Sequence, residues 1–412
     1  MAVGDMVVGL DLGTTKVCVV IAEVTAGDGR RVIGVGHTPS DGLRRGVVVD
    51  VQKTVQAISK AIHEAELMAG VNVRSVCTGI TGEHINSLDS LGAIGVGGGI
   101  QEITVADRDR VIDAARAVAI PFDREVLHVM PQGFSVDDRR GIRDPVGMFG
   151  VRLETKVHIV TAAVTSVRNI CKSVQRADIE VSDVVLESLA SSRAVLGEEE
   201  REMGVCVVDV GGGTTDIAVF DQGSVRQTAV IGLGGQNVTS DIAICLRTGW
   251  PQAELIKCQH GVVREDAVQP GDKLEIPGIS GRAPTSVGRT ELAAIIEARM
   301  EEVFSLVLRE LHRYPRTQSL GAGVVLTGGG CLIEGAAELA EQVLKMPVRV
   351  GVPTGCFSGL EDRLMDPAFS TAMGLVLMGV EELTGSARYD DLANPRYEDV
   401  AGRMKGWIEA LF

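Results

Sequence analysis

Two short stretches combine residue types that could handle phosphate. DLGTTK runs from Asp11 to Lys16, and DVGGGTTD from Asp209 to Asp216. Each lies between apolar runs, VGLDLGTTKVCVV over 8–20 and VVDVGGGTTDIAVF over 207–220. The pattern reads as a strand ending in aspartate, a turn of glycine and threonine, and a returning strand. Such turns offer backbone N–H groups and hydroxyls to phosphate oxygens. Glycine is needed because a Cβ would block close approach of the backbone. Asp11 and Asp209 stand beside the turns, and two carboxylates facing a polyphosphate suit a Mg2+ held through its water shell. One such stretch would read as an ordinary hairpin. Two copies, with a third glycine turn at Gly328, Gly329 and Gly330, read as phosphate binding.

The elements around the turns repeat as well. Residues 1–80 read as three strands, a helix capped by Asp50 and ending before Gly70, and a further strand. In that helix Val51, Val55, Ile58 and Ile62 share a face. Residues 84–162 break the plan with a Gly-rich run (84–101), a helix, a strand over REVLHVMPQGFSVDD and a strand over Lys156–Val164. They read as a small inserted α/β unit without a phosphate-type turn; its Gly97, Gly98 and Gly99 read as a loop. Two helices follow, and from Val205 the strand–turn–strand plan restarts. A polar stretch over 266–289 precedes a helix from Thr290 with Leu292, Ile295, Ile296, Met300, Val303 and Leu306 or Val307 on its apolar face. A last core helix lies over FSTAMGLVLMGVEEL. A duplicated domain would bring the two turns to one cleft.

Composition narrows the function classes. The chain has 412 residues, 45% hydrophobic and 3% aromatic, with 50 glycines, which favours Val/Ile-rich sheets and tight turns in two to four domains. The formal net charge of −15 argues against a nucleic-acid face. The eight cysteines are scattered and form no CxxC pair, so they read as small core residues. No apolar run reaches the ~20 residues of a spanning helix, and the N-terminus lacks a signal pattern, so a cytoplasmic protein is expected.

Five segments in order resemble the motifs of the actin, heat-shock chaperone and sugar-kinase superfamily. They are the two phosphate turns, VVLESLASSRAVL as a first connecting helix, VVLTGGG as an adenosine turn, and FSTAMGLVLMGV as a second connecting helix. The resemblance implies an α/β, actin-like (duplicated ribonuclease-H-like) fold that binds ATP and Mg2+. It implies phosphate contacts from Gly13, Thr14, Thr15 and Lys16, and from Gly211, Gly212, Gly213 and Thr214. Asp11 and Asp209 would order the water shell of Mg2+, Asp209 with a catalytic role. Glu187 would orient attacking water; as the opening residue of a helix it reads equally as a carboxylate satisfying the helix dipole. Gly234 and Gly235 would form a further nucleotide turn, and Glu297 would reach the ribose.

The insertion, GLRRGVVVD and GGQNVTSDIA resemble the FtsA family of bacterial cell division. That resemblance runs from residue 6 to about 385. It implies ATP binding with at most slow hydrolysis, polymerisation, and tethering of FtsZ to the cytoplasmic face of the inner membrane at midcell, with recruitment of later division proteins. It divides the chain into subdomain 1A (1–83 and 163–203), inserted 1C (84–162), 2A (204–245 and 319–383), 2B (246–318), a linker (384–399) and a terminal helix (400–412). Subdomain 2B would receive the acidic C-terminal tail of FtsZ, with Arg282 and Arg299 as basic contacts. In the terminal segment Met404, Trp407, Ile408, Leu411 and Phe412 fall near one helical face. That pattern fits a membrane-binding amphipathic helix or a helix docked on its own body, and the resemblance favours the membrane. A pilus-assembly relative is the nearest rival. A small-molecule kinase would need an acceptor pocket with a base, which the sequence does not display.

Overall fold

The computed structural model describes residues 5–25, 29–269, 271–278, 283–317, 320–354, 357–359 and 364–384. The chain opens with an antiparallel meander, β1 (Asp5–Leu12), β2 (Lys16–Thr25) and β3 (Gly29–Pro39). A short hairpin, β4 (Leu43–Arg44) and β5 (Val47–Val48), leads into α1 (Val51–Ala69). The Asp50 side chain accepts from the Lys53 N–H and Gly70 ends the helix at φ +69°, which satisfies both ends as the sequence predicts. Ile58 and Ile62 are buried, while Val51 and Val55 stay partly exposed. Helix α1 lies close on β3: a Cβ at Gly36 would sit 1.9 Å from the Ala61 carbonyl oxygen. β6 (Ser75–Ile80) then runs parallel to β1.

The next segment forms its own sheet. β7 (Asn86–Gly95), β8 (Gln101–Glu102), α2 (Val105–Arg116), β9 (Arg124–Val136), β10 (Arg139–Ile142), β11 (Phe149–Gly150) and β12 (Arg152–Ala163) follow in turn. The order β10-β9-β12-β7 is antiparallel, and a separate core of Val111, Val129, Phe134, Leu153 and Ile159 joins this sheet to α2. β7 occupies part of the run that reads as merely Gly-rich. Its Gly92 is a packing residue, because a Cβ there would come within 2.3 Å of the Val111 carbonyl oxygen on α2.

The chain returns to the first sheet through α3 (Val164–Gln175) and β13 (Glu180–Leu186), a strand beside β6 that the sequence reading missed. Next come α4 (Glu187–Val195) and α5 (Glu198–Met203). The second half then comprises β14 (Val205–Val210), β15 (Thr215–Asp221), β16 (Ser224–Ile231), α6 (Gly235–Cys245) and α7 (Trp250–His260). After these come β17 (Lys273–Ile276), β18 (Thr285–Gly288), α8 (Arg289–Leu311), β19 (Val324–Thr327), α9 (Ala336–Leu344), β20 (Val348–Val350) and β21 (Phe357–Gly359). The β17–β18 hairpin replaces the irregular polar stretch expected before α8.

The two main sheets share one plan. The order β3-β2-β1-β6-β13 in the first is matched by β16-β15-β14-β19-β20 in the second, and β21 adds to the first beyond β3. Strand β14, VCVVDV, is apolar on both faces because both are covered. Val205 and Val207 belong to the core that includes the first half, and Cys206, Val208 and Val210 to the core of α6, α8 and α9. The halves are joined where α4 crosses the last helix (Ser370–Thr384). A Cβ at Gly374 would lie 1.7 Å from the Ala190 carbonyl oxygen, so the two backbones touch without a side chain between them. Arg193 of α4 and Glu381 of the last helix form an ion pair one to two turns beyond.

Candidate functional site

Each aspartate is the penultimate residue of a first strand. Asp11 pairs with Cys18 across β1 and β2, which leaves Gly13, Thr14 and Thr15 as the turn. Asp209 pairs with Asp216 across β14 and β15 and lies beside Thr327 on β19. The turns meet face to face. A Cβ at Gly212 would stand 2.5 Å from the Thr15 methyl, and one at Gly213 2.5 Å from the Thr14 hydroxyl. The third glycine turn closes on the second: Gly328 has φ +85°, and a Cβ there would stand 2.2 Å from Asp209 Oδ1. The Gly235 N–H donates to the Gly211 carbonyl at 2.9 Å, so the start of α6 is fastened to the second turn.

Between the turns lies a cleft of 320 Å³. It is lined by Asp11, Gly13, Thr14, Thr15, Lys16, Glu187, Asp209, Gly211, Gly212, Gly213, Thr214, Gly235, Gly328, Gly329 and Gly330. These come from five separate stretches of chain. Gly234 does not line the cleft; it packs behind it, where a Cβ would meet the Gly211 carbonyl oxygen at 2.5 Å.

Four buried carboxylates face this space: Asp11, Glu187, Asp209 and Asp216. Burial pushes the Asp11 carboxyl up to about 6; Lys16 opposes the shift and Asp209 adds to it. Burial likewise lifts Asp216 to about 7 against the hydrogen bond from Thr81, with Asp209 adding to the rise. Asp209 is raised by burial and partly held down by hydrogen bonds from Ser191 and Thr371, the latter at 3.1 Å. Glu187 is raised well above the usual carboxylate range by burial and by the charges of Asp11, Asp216 and Asp209. Gly79 makes room for it, since a Cβ there would stand 2.9 Å from Glu187 Cγ. A carboxylate placed only to satisfy a helix dipole gains most of that in the exposed first turn. Burying Glu187 among three other acids is costly, and a cationic occupant would repay the cost.

Among the described residues no three His, Cys, Asp or Glu side chains form a direct metal-ligand set. The oxygen donors here fit a hard cation that keeps its water shell, and Asp11 and Asp209 are the carboxylates that would hold that shell. The Lys16 ammonium donates to the Ala368 carbonyl and lies 4.5 Å from the centre of the Phe369 ring.

The structure adds residues that the sequence reading missed and moves others. Thr81, Asp216, Glu254, Lys257, Leu332, Ile333 and Thr371 also line the cleft. Lys257 Nζ donates to the Gly235 carbonyl (3.1 Å), to Thr239 (2.9 Å) and to Glu254 (2.8 Å). Asp216 was legible as the last letter of GGGTTD; Glu254 and Lys257 carry no local signature. Glu297, expected at the ribose, lines a separate shallow groove with Arg264, Asp266 and Glu301. Glu297 stands at the edge of the buried face of α8, next to Phe304 in helical phase and partly buried, and that edge faces the groove rather than the cleft. Arg299 is committed within the chain, to both oxygens of Asp241 (2.6 and 3.0 Å) and to Glu302. Arg282 and the tail residues Met404, Trp407, Ile408, Leu411 and Phe412 lie outside the described residues.

Comparison with known proteins agrees with this architecture. A family profile described as Cell division protein FtsA matches residues 206–374, and one described as SHS2 domain inserted in FTSA matches residues 82–161. The chain is 45% identical to Cell division protein FtsA of Pseudomonas aeruginosa over 417 residues, covering 99% of each chain. It is 39% identical to the protein of that name from Escherichia coli K12 over 415 residues, covering 99% of this chain and 98% of the relative. Among solved structures it resembles a PilM–PilN type IV pilus biogenesis complex, with TM-score 0.65, 17% identity and coverage of 91% and 98%. It also resembles MreB5 of Spiroplasma citri bound to ADP, with TM-score 0.54, 14% identity and coverage of 93% and 99%. At those identities the two structures speak for the actin-like fold alone.

Proposed function

The chain belongs to the FtsA family of cell-division proteins and has the actin-like fold, and we propose that it binds Mg-ATP in the cleft and uses it to assemble on a membrane. The observation that carries this reading is the meeting of two glycine turns beside four buried acids. The turns offer N–H groups to phosphate oxygens, and Asp11 and Asp209 steady the water shell of the metal. Glu187 orients water for, at most, slow hydrolysis. Glu254, joined to Lys257 beside Gly235, takes the ribose-side role first expected of Glu297.

Residues 84–162 act as the subdomain 1C that makes contacts rather than chemistry, and 1A, 2A and 2B follow the boundaries given above. Polymerisation places many terminal helices on one surface, which adds roughly 10²- to 10⁴-fold in avidity to a weak single anchor. No described helix is long and apolar enough to cross a membrane. The anchor proposed is the 400–412 segment, with Met404, Trp407, Ile408, Leu411 and Phe412 inserted at the cytoplasmic face of the inner membrane at midcell. There the filament tethers the FtsZ C-terminal tail and recruits later division proteins. Arg282 remains a candidate contact for that tail, and Arg299 joins it on exchanging its partner Asp241.

The test is co-sedimentation of the full chain with anionic vesicles and Mg-ATP. The parent should pellet with vesicles, Trp407→Glu should stay in the supernatant, and raised salt should release only part of the parent. Apolar burial worth ~1.5–3 kcal/mol per fully inserted large side chain outweighs about 1 kcal/mol per cation. Equal pelleting of Trp407→Glu and parent would end the anchoring proposal.

A further inference from the structure

The β4–β5 hairpin carries a long cationic side chain on a tightly packed turn. Its two turn residues are Arg45 at φ +49° and Gly46 at φ +74°. A two-residue hairpin of this hand suits Asn, Asp or Gly at its first turn position, and a long side chain there is held in a sparsely populated conformation. The hairpin sits on both phosphate turns. The Gly46 N–H donates to the Thr14 hydroxyl at 3.1 Å. A Cβ at Gly213 would lie 3.0 Å from Arg45 Cα. The Arg45 side chain therefore starts from the seam where the first turn meets the second.

Its charge is nearly unspent. The Arg45 side chain is 48% exposed, and among the described residues its one ion-pair partner is Glu83 at 4.0 Å. Glu83 in turn belongs to the seam, since a Cβ at Gly232 would stand 2.4 Å from its carboxyl carbon. The cations lining the cleft are more committed, Lys16 to the Ala368 carbonyl and Lys257 to Glu254, Thr239 and Gly235. A nucleoside triphosphate and its divalent cation leave net negative charge at the terminal phosphate. Arg45 does not itself line the cleft, but its backbone abuts Gly213 and that of Gly46 abuts Thr81, both of which do.

We propose that Arg45 is a nucleotide-state reader: it leaves Glu83 and binds the terminal phosphate of a nucleoside triphosphate, and it makes no contact with the diphosphate. This rests on the cleft assignment made above and deepens it. The strained turn conformation is then the cost of rooting a long cation between the two turns.

Calorimetric titration with Mg-ATP and Mg-ADP tests it. Losing one charge-assisted contact should weaken ATP binding by Arg45→Ala about 10-fold and leave ADP binding within about 2-fold. Arg45→Lys, which keeps the charge, should recover most of the ATP affinity. Arg45→Gly, which relieves the turn, should melt no lower than the parent and still lose the preference for ATP. Equal losses for both nucleotides would make Arg45 a structural residue and overturn the proposal, as would unchanged ATP affinity. A parent chain that bound ADP normally while every Arg45 variant matched it on ATP would sink this inference and leave the cleft assignment standing. A parent that bound neither nucleotide would bring down both.

Discussion

The two halves of the cleft began from the same plan and carry opposite charges at matching points. Each has an aspartate one residue before the end of its first strand and a Thr-Thr pair that leads into the second. The residue after that pair is Lys16 in the first half and Asp216 in the second. Each of the two is held by the other side: Lys16 donates to Ala368, just ahead of the last helix, and Thr81 of the first half donates to Asp216. The turns differ too. The first turn's Gly13 is constrained by its own loop, where a Cβ would meet the Lys16 carbonyl oxygen at 2.8 Å. In the longer second turn Gly211 is likewise met by its own loop, at the Thr214 carbonyl oxygen, but Gly212 and Gly213 are constrained by the opposite turn. One element is shaped locally and its partner is shaped to fit it, which is how a repeated motif becomes an asymmetric site.

The strongest way to break this relation is to wedge the turns apart. Gly213→Val places a branched side chain against Thr14 and the Arg45 backbone. Nucleotide binding should fall at least ~100-fold while far-UV circular dichroism stays native, since overpacking at a tight contact displaces backbone. Gly13→Ala, which strains one loop, should cost less than Gly213→Val; the reverse ranking in the same titration would contradict cross-cleft fitting.

A middle-sized effect belongs to the metal-steadying role proposed for Asp11 and Asp209. Asp209→Ala should weaken nucleotide binding about 10- to 100-fold with Mg2+ present and little with a chelator, because a carboxylate next to a hydrated cation is worth a few kcal/mol at this burial. Unchanged affinity in Mg2+ would remove Asp209 from that role.

The smallest contrast sharpens the charge asymmetry. Lys16→Gln should reduce ATP affinity about 10-fold, the loss of one charge-assisted contact. Asp216→Asn should change it by less than about 3-fold and in the favourable direction, because it removes a like charge from a crowded acid cluster. Similar losses in both variants would mean that the halves contribute alike.

What could be read from the chain depended on how local the physics was. The end caps of α1 are three-residue matters, and Asp50 and Gly70 show them openly. The doubled strand–turn–strand was equally plain, because alternation and glycine spacing are written in consecutive residues. Strand β7 was hidden because Gly92 looks like a loop residue until α2 is laid across it. The hairpin of β17 and β18 was hidden by short strands with few apolar residues. In α8 the apolar face is legible and Phe304 belongs to it as well, whereas nothing local says that the edge carrying Glu297 faces a groove outside the cleft.

The residues proposed to bind phosphate thus stand in consecutive positions: carboxylate, glycine, hydroxyl, at fixed spacing along two strands. No local pattern says which faces meet across two hundred residues. That was set by packing, above all by the contact of Gly374 with Ala190, which brings the connecting helices together and turns the two loops toward each other. Once they meet, Gly212 and Gly213 acquire their need to be glycine, Glu254 and Lys257 enter the site, and Arg299 is spent on Asp241. Side-chain periodicity is a property of one element; partnership depends on how elements stack, and neighbours in sequence carry no record of it.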